Sequence, residues 1–162
     1  LIGCDLRNPQ LHKYINEEKD QKGLVNFLVD GSLDWTSFVL KKFNKIPTQN
    51  ILLCGSIPPN PLNLMNNGNL EKLISQAKEL YDYIIIDSAP TLLVADTKST
   101  FDIADAVVYL TRCNVTDKNI IQHINKTSQE SKCDFGIVLN GAGENNAYGY
   151  KYGYKYGYKY GY

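Results

Sequence analysis

Five short apolar runs, each closed by a polar residue or glycine, limit what this chain can fold into. They are LIGC at 1–4, ILLC at 51–54, YIII at 83–86, AVVYLT at 106–111 and FGIVL at 135–139. Runs this short, continuously apolar rather than alternating, mark strands buried on both faces. Helical patterns lie between them. Residues 23–29 place Leu24, Val25, Phe27 and Leu28 on one face before Asp30-Gly31 stops the pattern, and residues 33–43 fit a short helix better than a strand. Asn69 is expected to cap a helix carrying Leu70, Leu73, Ile74, Ala77, Leu80 and Tyr81 at helical spacing, and Thr116 to start another with Ile120, Ile121 and Ile124. Between these, Gly55 to Pro61 holds three prolines in its last four positions and reads as a rigid loop. Strands alternating with helices specify an α/β fold, a mostly parallel sheet with helices on both faces.

In such a sheet, ligands lie outside the carboxyl ends of the strands. Two runs finish there in a carboxylate, Asp5 and Asp87. Carboxylates so placed suit Mg2+, which takes oxygen ligands, keeps several waters and is shared with substrate phosphates. A single aspartate at a strand end more often starts a turn; two of them shift the balance toward a nucleotide site. Arg7 and Arg112 could each neutralise phosphate charge or pair with a neighbouring acid. Asn140 could read an adenine edge or close a turn. The GxxxxGK[ST] loop that would cradle the β- and γ-phosphates does not occur in the chain.

The remaining feature is the carboxyl terminus, YGYKYGYKYGYKYGY. Tyr148, Tyr150, Tyr152, Tyr154, Tyr156, Tyr158, Tyr160 and Tyr162 alternate with glycine and lysine. A stretch with no Leu, Ile or Val and four glycines cannot offset its ordering entropy, so residues 144–162 are expected to form a disordered tail after a domain at 1–143. Its phenols are candidate phosphoacceptors, each gaining roughly −1.5 to −2 charges on modification. The same alternation would also put every tyrosine on one face of an extended strand, as in a self-associating repeat.

The tyrosine repeat at 148–162 carries three of the 17 basic residues and none of the 17 acidic ones, leaving the rest of the chain at −3. That contrast is too small to call for nucleic acid, yet it would let a tail visit an acidic cleft. Cys4, Cys54, Cys113 and Cys133 show no CxxC spacing and read as reduced, mostly buried residues of a cytoplasmic protein. His12 and His123 stand alone and read as surface or packing residues. No apolar run approaches the ~20 residues of a membrane span. The opening Leu1-Ile2 looks like a strand entered partway, so a piece of a longer protein is expected.

Taken together, GCDLRNP, GLVNFLVDG, GSIPPNPLNLM, YDYIIIDSAP, DAVVYLTRCNVT and GIVLNG, closed by a tyrosine cluster, resemble the bacterial tyrosine kinases, P-loop autokinases attached to polysaccharide co-polymerases. The resemblance implies that LIGCDLR is the second Walker motif and IIID the Walker B motif, with Asp5 and Asp87 acting on Mg2+ and ATP. It implies that the tail is the autophosphorylated cluster and that the Walker A loop lies upstream. It also implies a homo-oligomeric ring, a co-polymerase membrane segment fused or separate, and a place at the inner face of the bacterial plasma membrane, in control of capsular or exopolysaccharide synthesis and export. The family's second Walker motif carries D-x-D; here the first aspartate is Gly3, and the catalytic base has no assignment. A different class remains open, a positioning or partitioning ATPase of the same broad P-loop group whose tail only binds.

Overall fold

The computed structural model describes residues 1–18, 20–41, 49–90, 97–131 and 133–142. The tail at 144–162 with all eight tyrosines, and the end of the helical pattern at 33–43, lie outside the described residues.

The chain opens with β1 (Ile2–Gly3), followed by α1 (Leu11–Ile15), α2 (Leu24–Val29) and a 3-10 turn at Trp35–Phe38. Next come α3 (Pro61–Met65), α4 (Asn69–Lys78) and β2 (Ile86–Asp87), then α5 (Thr97–Asp102), β3 (Ala106–Arg112), α6 (Ile120–Glu130) and β4 (Asp134–Asn140). All strand pairs between these elements are parallel. β1 pairs with β2, Ile2 opposite Ile86 and Gly3 opposite Asp87. On its other edge Ile2 bridges Leu52 in parallel, and the Gly3 amide donates to the Leu52 carbonyl at 2.9 Å. β1 is therefore an interior strand, as a run of apolar residues predicts. Ile51 also bridges Leu40 antiparallel, which the sequence reading did not foresee.

β3 and β4 form a second ladder of seven parallel pairs, from Ala106 opposite Asp134 to Arg112 opposite Asn140. Among the described residues the two ladders are not hydrogen-bonded to each other. An open cleft of about 800 Å3 is lined by Ile84 and Ile86 on one side and Val107 and Tyr109 on the other. The second ladder accordingly leaves apolar side chains in contact with water: Val108, Leu110 and Ile137 are 64%, 69% and 55% exposed. Of the strands expected to be buried on both faces, only the LIGC and ILLC runs are; in the YIII run Tyr83 and Ile85 are 88% and 63% exposed.

The core belongs to that first ladder. Leu24, Phe27 and Leu28 of α2 pack with Leu70 and Leu73 of α4, Met65 and Leu52, all at 2% exposure or less. Full burial of each such side chain contributes roughly 1.5–3 kcal/mol. The end of α2 is tied down by the segment leading into α4. Asn67 and Asn69 side-chain amides both donate to the Leu28 carbonyl, at 2.6 and 2.9 Å, and Lys72 Nζ donates to the Gly31 carbonyl at 2.7 Å. This corrects the expected cap. Gly68, at φ +85°, is the residue before α4, and Asn69 turns its side chain toward α2 instead of its own helix.

Three other boundaries differ from the sequence reading for local reasons. Pro61 is the first residue of α3, where its missing N–H costs nothing, so the proline-rich loop ends one residue early. α6 starts at Ile120, not Thr116, because Thr116 Oγ1 accepts from the Arg112 amide at 2.8 Å and Asp117 Oδ1 from the Asn119 amide. α1 was not anticipated; it is one turn long, buries no residue fully, and stops at left-handed Asn16.

α2 docks through Gly23. Its backbone runs so close to residues 51–54 that the Leu24 and Val25 amides donate to the Leu53 and Cys54 carbonyls at 2.8 and 2.9 Å. A methyl added at Gly23 would run into the Leu53 carbonyl oxygen and lie 2.9 Å from the Gly55 amide, both rigid backbone groups. Gly23→Ala is therefore expected to lower unfolding free energy by about 1–3 kcal/mol, read as a lower midpoint in urea denaturation.

Candidate nucleotide and metal site

β1 and β2 run side by side, so their carboxyl ends deliver two carboxylates to one place. Asp87 is the last residue of β2 and stands opposite Gly3, and its carbonyl accepts from the Cys4 amide at 2.7 Å. Asp5 follows two residues after Gly3. Both line one pocket with Gly3, Gln10, His12 and Gly55.

Asp5 is held by the turn it starts: its Oδ1 accepts from the amides of Arg7 at 3.1 Å and Asn8 at 2.9 Å. The turn reading and the ligand reading of this aspartate are thus compatible. One oxygen orients the carboxylate and the other remains for a ligand. Partial loss of hydration, and then the negative charge of Asp5, push the Asp87 carboxyl above its ordinary value. Two carboxylates that repel each other in this way attract a cation. Among the described residues no cluster of three or more His, Cys, Asp or Glu suits a metal. Two carboxylates fit Mg2+, which rarely takes an all-protein cage and completes its shell with waters and substrate oxygens.

Below this edge the thiols are inert. Cys4 and Cys54 are buried, and burial, with the charges of its neighbours, pushes the Cys4 thiol up to about 12. Cys4 Sγ lies 3.9 Å from Met65 Sδ. Both behave as small apolar residues, in line with the sequence reading.

The other candidates fall apart in space. Arg7 is exposed on the turn after β1 and does not line the carboxylate pocket. Arg112 and Asn140 are register partners at the carboxyl end of the second ladder. Asn140 serves the turn there: its Oδ1 accepts from the Gly141 amide at 2.8 Å and its carbonyl from the Cys113 amide at 2.9 Å. No strand hydrogen bond links this pair to Asp5 and Asp87. His12, read from the sequence as a surface or packing residue, lines the carboxylate pocket from α1, half-buried. Only the short spacing from Asp5 through Pro9 could have hinted at this.

Comparison with known proteins decides the lineage. No protein-family model matches the chain. Over 148 residues it is 31% identical to the tyrosine-protein kinase CpsD of Streptococcus agalactiae, covering 91% of this chain and 63% of that protein. It is 29% identical to the tyrosine-protein kinase YwqD of Bacillus subtilis, covering 93% of this chain and 63% of that protein. The chain is a homologue of the bacterial tyrosine kinases. It spans about three fifths of the length of these relatives. The fold agrees: the kinase domain of Escherichia coli tyrosine kinase ETK superposes with a TM-score of 0.79 at 23% identity, over 94% of this chain and 59% of that one. The VpsO kinase domain gives 0.75 at 28% identity, over 86% and 68%. The architecture is thus that of a bacterial tyrosine kinase domain of P-loop type, and the parallel α/β expectation holds.

The Asp87 shift has a consequence for stability. The folded state holds the Asp87 proton more tightly than the unfolded chain does. That stabilisation is complete below the ordinary carboxylate value of 3.8 and is lost as pH rises through the raised folded value. At neutral pH, without a cation, the ionised group therefore weakens the fold. Asp87→Asn is expected to raise the thermal midpoint at pH 7 by a few degrees at most, with the gain shrinking as pH approaches 4. It is also expected to abolish any stabilisation by Mg2+, measured by calorimetry with and without the ion.

Proposed function

We propose that this chain is part of an ATP-dependent protein-tyrosine autokinase whose phosphoacceptors are the tyrosines at 148–162. The observation that carries the reading is the pairing of Asp5 and Asp87 at the carboxyl ends of adjacent parallel strands, in a homologue of tyrosine-protein kinases that ends in eight alternating tyrosines.

In this reading Asp87 and Asp5 hold Mg2+, with the Asp5 carboxylate kept in position by the Arg7 and Asn8 amides. Mg2+ held there would supply positive charge against the charge that develops on the transferred group. Arg7, on the turn after β1, and Arg112, at the end of the other ladder, would offset charge on the nucleotide in this reading. Phosphoryl transfer demands mostly positioning and electrostatics, and a rigid carboxylate pair supplies both.

The tail would come from a neighbouring copy in a homo-oligomeric ring. Eight phosphorylations would replace a segment of charge +3 with one carrying on the order of −10, facing a body of −3. Repulsion acting within roughly 8–10 Å at ordinary salt would then loosen the assembly. CpsD of Streptococcus agalactiae matches this chain along most of its length. A corresponding role is proposed here in capsular or exopolysaccharide synthesis and export, at the inner face of the membrane, with a co-polymerase segment fused or separate. Among the described residues no helix is long and apolar enough to cross a membrane.

Replacing all eight tail tyrosines with phenylalanine in the full-length gene product should remove most phosphotyrosine while leaving ATP binding intact. Mass spectrometry after incubation with Mg-ATP reads the first quantity, and calorimetric titration the second. Phosphate appearing on the body instead would overturn the tail assignment, and ATP hydrolysis with no phosphotyrosine anywhere would favour a positioning ATPase.

A further inference from the structure

We propose that His12 is the proton acceptor for the tyrosine hydroxyl in this site. The inference rests on the kinase reading above and supplies the group that reading leaves unassigned.

The pocket that holds Asp5 and Asp87 offers few groups able to take a proton. Gly3, Pro9, Leu11, Leu53 and Gly55 have none to offer, and the Cys54 thiol is buried. Asp5 already accepts two backbone amides through Oδ1, and in the kinase reading it holds the cation together with Asp87. A carboxylate that ligates a cation is a poor base, because the ion stabilises its ionised form. His12 is the remaining candidate. It sits in the first turn of α1, half-buried, and lines the same pocket as both carboxylates. Among the described residues its imidazole has no hydrogen-bond or ion-pair partner. A packing histidine would ordinarily spend at least one ring nitrogen on a neighbour.

Leu11 sets α1 against β1. A side chain at position 3 would begin 3.4 Å from Leu11 Cδ2 and from the Cys54 amide, an ordinary contact distance. His12, the next residue along α1, lines the pocket's rim.

The balanced step is as follows. The tyrosine O–H bond breaks and its proton passes to an imidazole nitrogen of His12. The phenolic oxygen bonds to the terminal phosphorus of the nucleoside triphosphate as the bond to the β,γ-bridging oxygen breaks. The nucleoside diphosphate leaves, and the imidazolium returns its proton to solvent. General-base assistance of this kind contributes roughly 10²–10⁴-fold, and the lower end is expected for a loose transition state.

Two readouts test the assignment. The chain has only two histidines, so the imidazole 15N signals of His12 can be told from those of exposed His123 on α6, which serves as the internal control. Mn2+ added to the chain should broaden the His12 signals and spare His123, and Mg2+ should broaden neither. In the full-length gene product, His12→Gln and His12→Asn should each lower kcat for tail phosphorylation about a hundredfold, with KM for ATP unchanged. Gly3→Asp on the His12→Gln background should restore at least a tenth of the lost rate, since only the flexible end of Leu11 and one amide stand in its way. Wild-type protein that makes no phosphotyrosine would overturn the kinase reading itself. Active wild type with undiminished His12→Gln turnover would overturn only the role of His12, whereas Mn2+ that leaves the His12 signals sharp would overturn the cation site of the kinase reading.

Discussion

Two like charges held side by side are the feature on which the rest of this structure turns. Asp5 and Asp87 would separate if their backbones were free to move. The parallel register that sets Gly3 opposite Asp87, with the Cys4 amide bonded to the Asp87 carbonyl, prevents it. Partial burial first, and the charge of Asp5 second, raise the Asp87 carboxyl above its ordinary value. A site that repels itself when empty is one that a divalent cation relieves, so the strain and the affinity have one source.

What keeps those strands in place is packing on the far side of the edge. β1 is bonded on both sides, to β2 and to the strand at Leu52, and α2 and α4 close over it with Leu24, Phe27, Leu28, Leu70 and Leu73. Gly23 lets α2 come within backbone hydrogen-bonding distance of Leu53 and Cys54. The paired Asn67 and Asn69 amides on the Leu28 carbonyl then lock α2 to the start of α4. The second ladder has its own seven register pairs but shares no strand bond with the first among the described residues. Arg112 and Asn140 therefore have fixed positions relative to each other, while strand pairing does not fix their distance from the carboxylates.

Much of this could be read along the chain. Short apolar runs ending in Asp5 and Asp87 are strands in the structure because continuous apolarity has no other compact use at that length, and their alternation with helices gave parallel pairing. Helix ends were harder. Asn69 and Thr116 both look like caps, and each is drawn away by a partner distant from that role, Asn69 by the Leu28 carbonyl and Thr116 by the Arg112 amide. The division into two ladders could not be read at all, because a run such as AVVYLT looks the same whether its edges are paired or open.

The order of residues by itself determined the element types, the parallel pairing and the delivery of two aspartates to one edge, since these follow from apolar periodicity and from chirality. Only the tertiary structure decided which polar groups meet. α1 sets His12 in the carboxylate pocket, and Asn140 and Arg112 end a different ladder from the one that carries Asp87. Proximity across a fold is set by how elements pack, and packing depends on contacts between residues far apart in the chain.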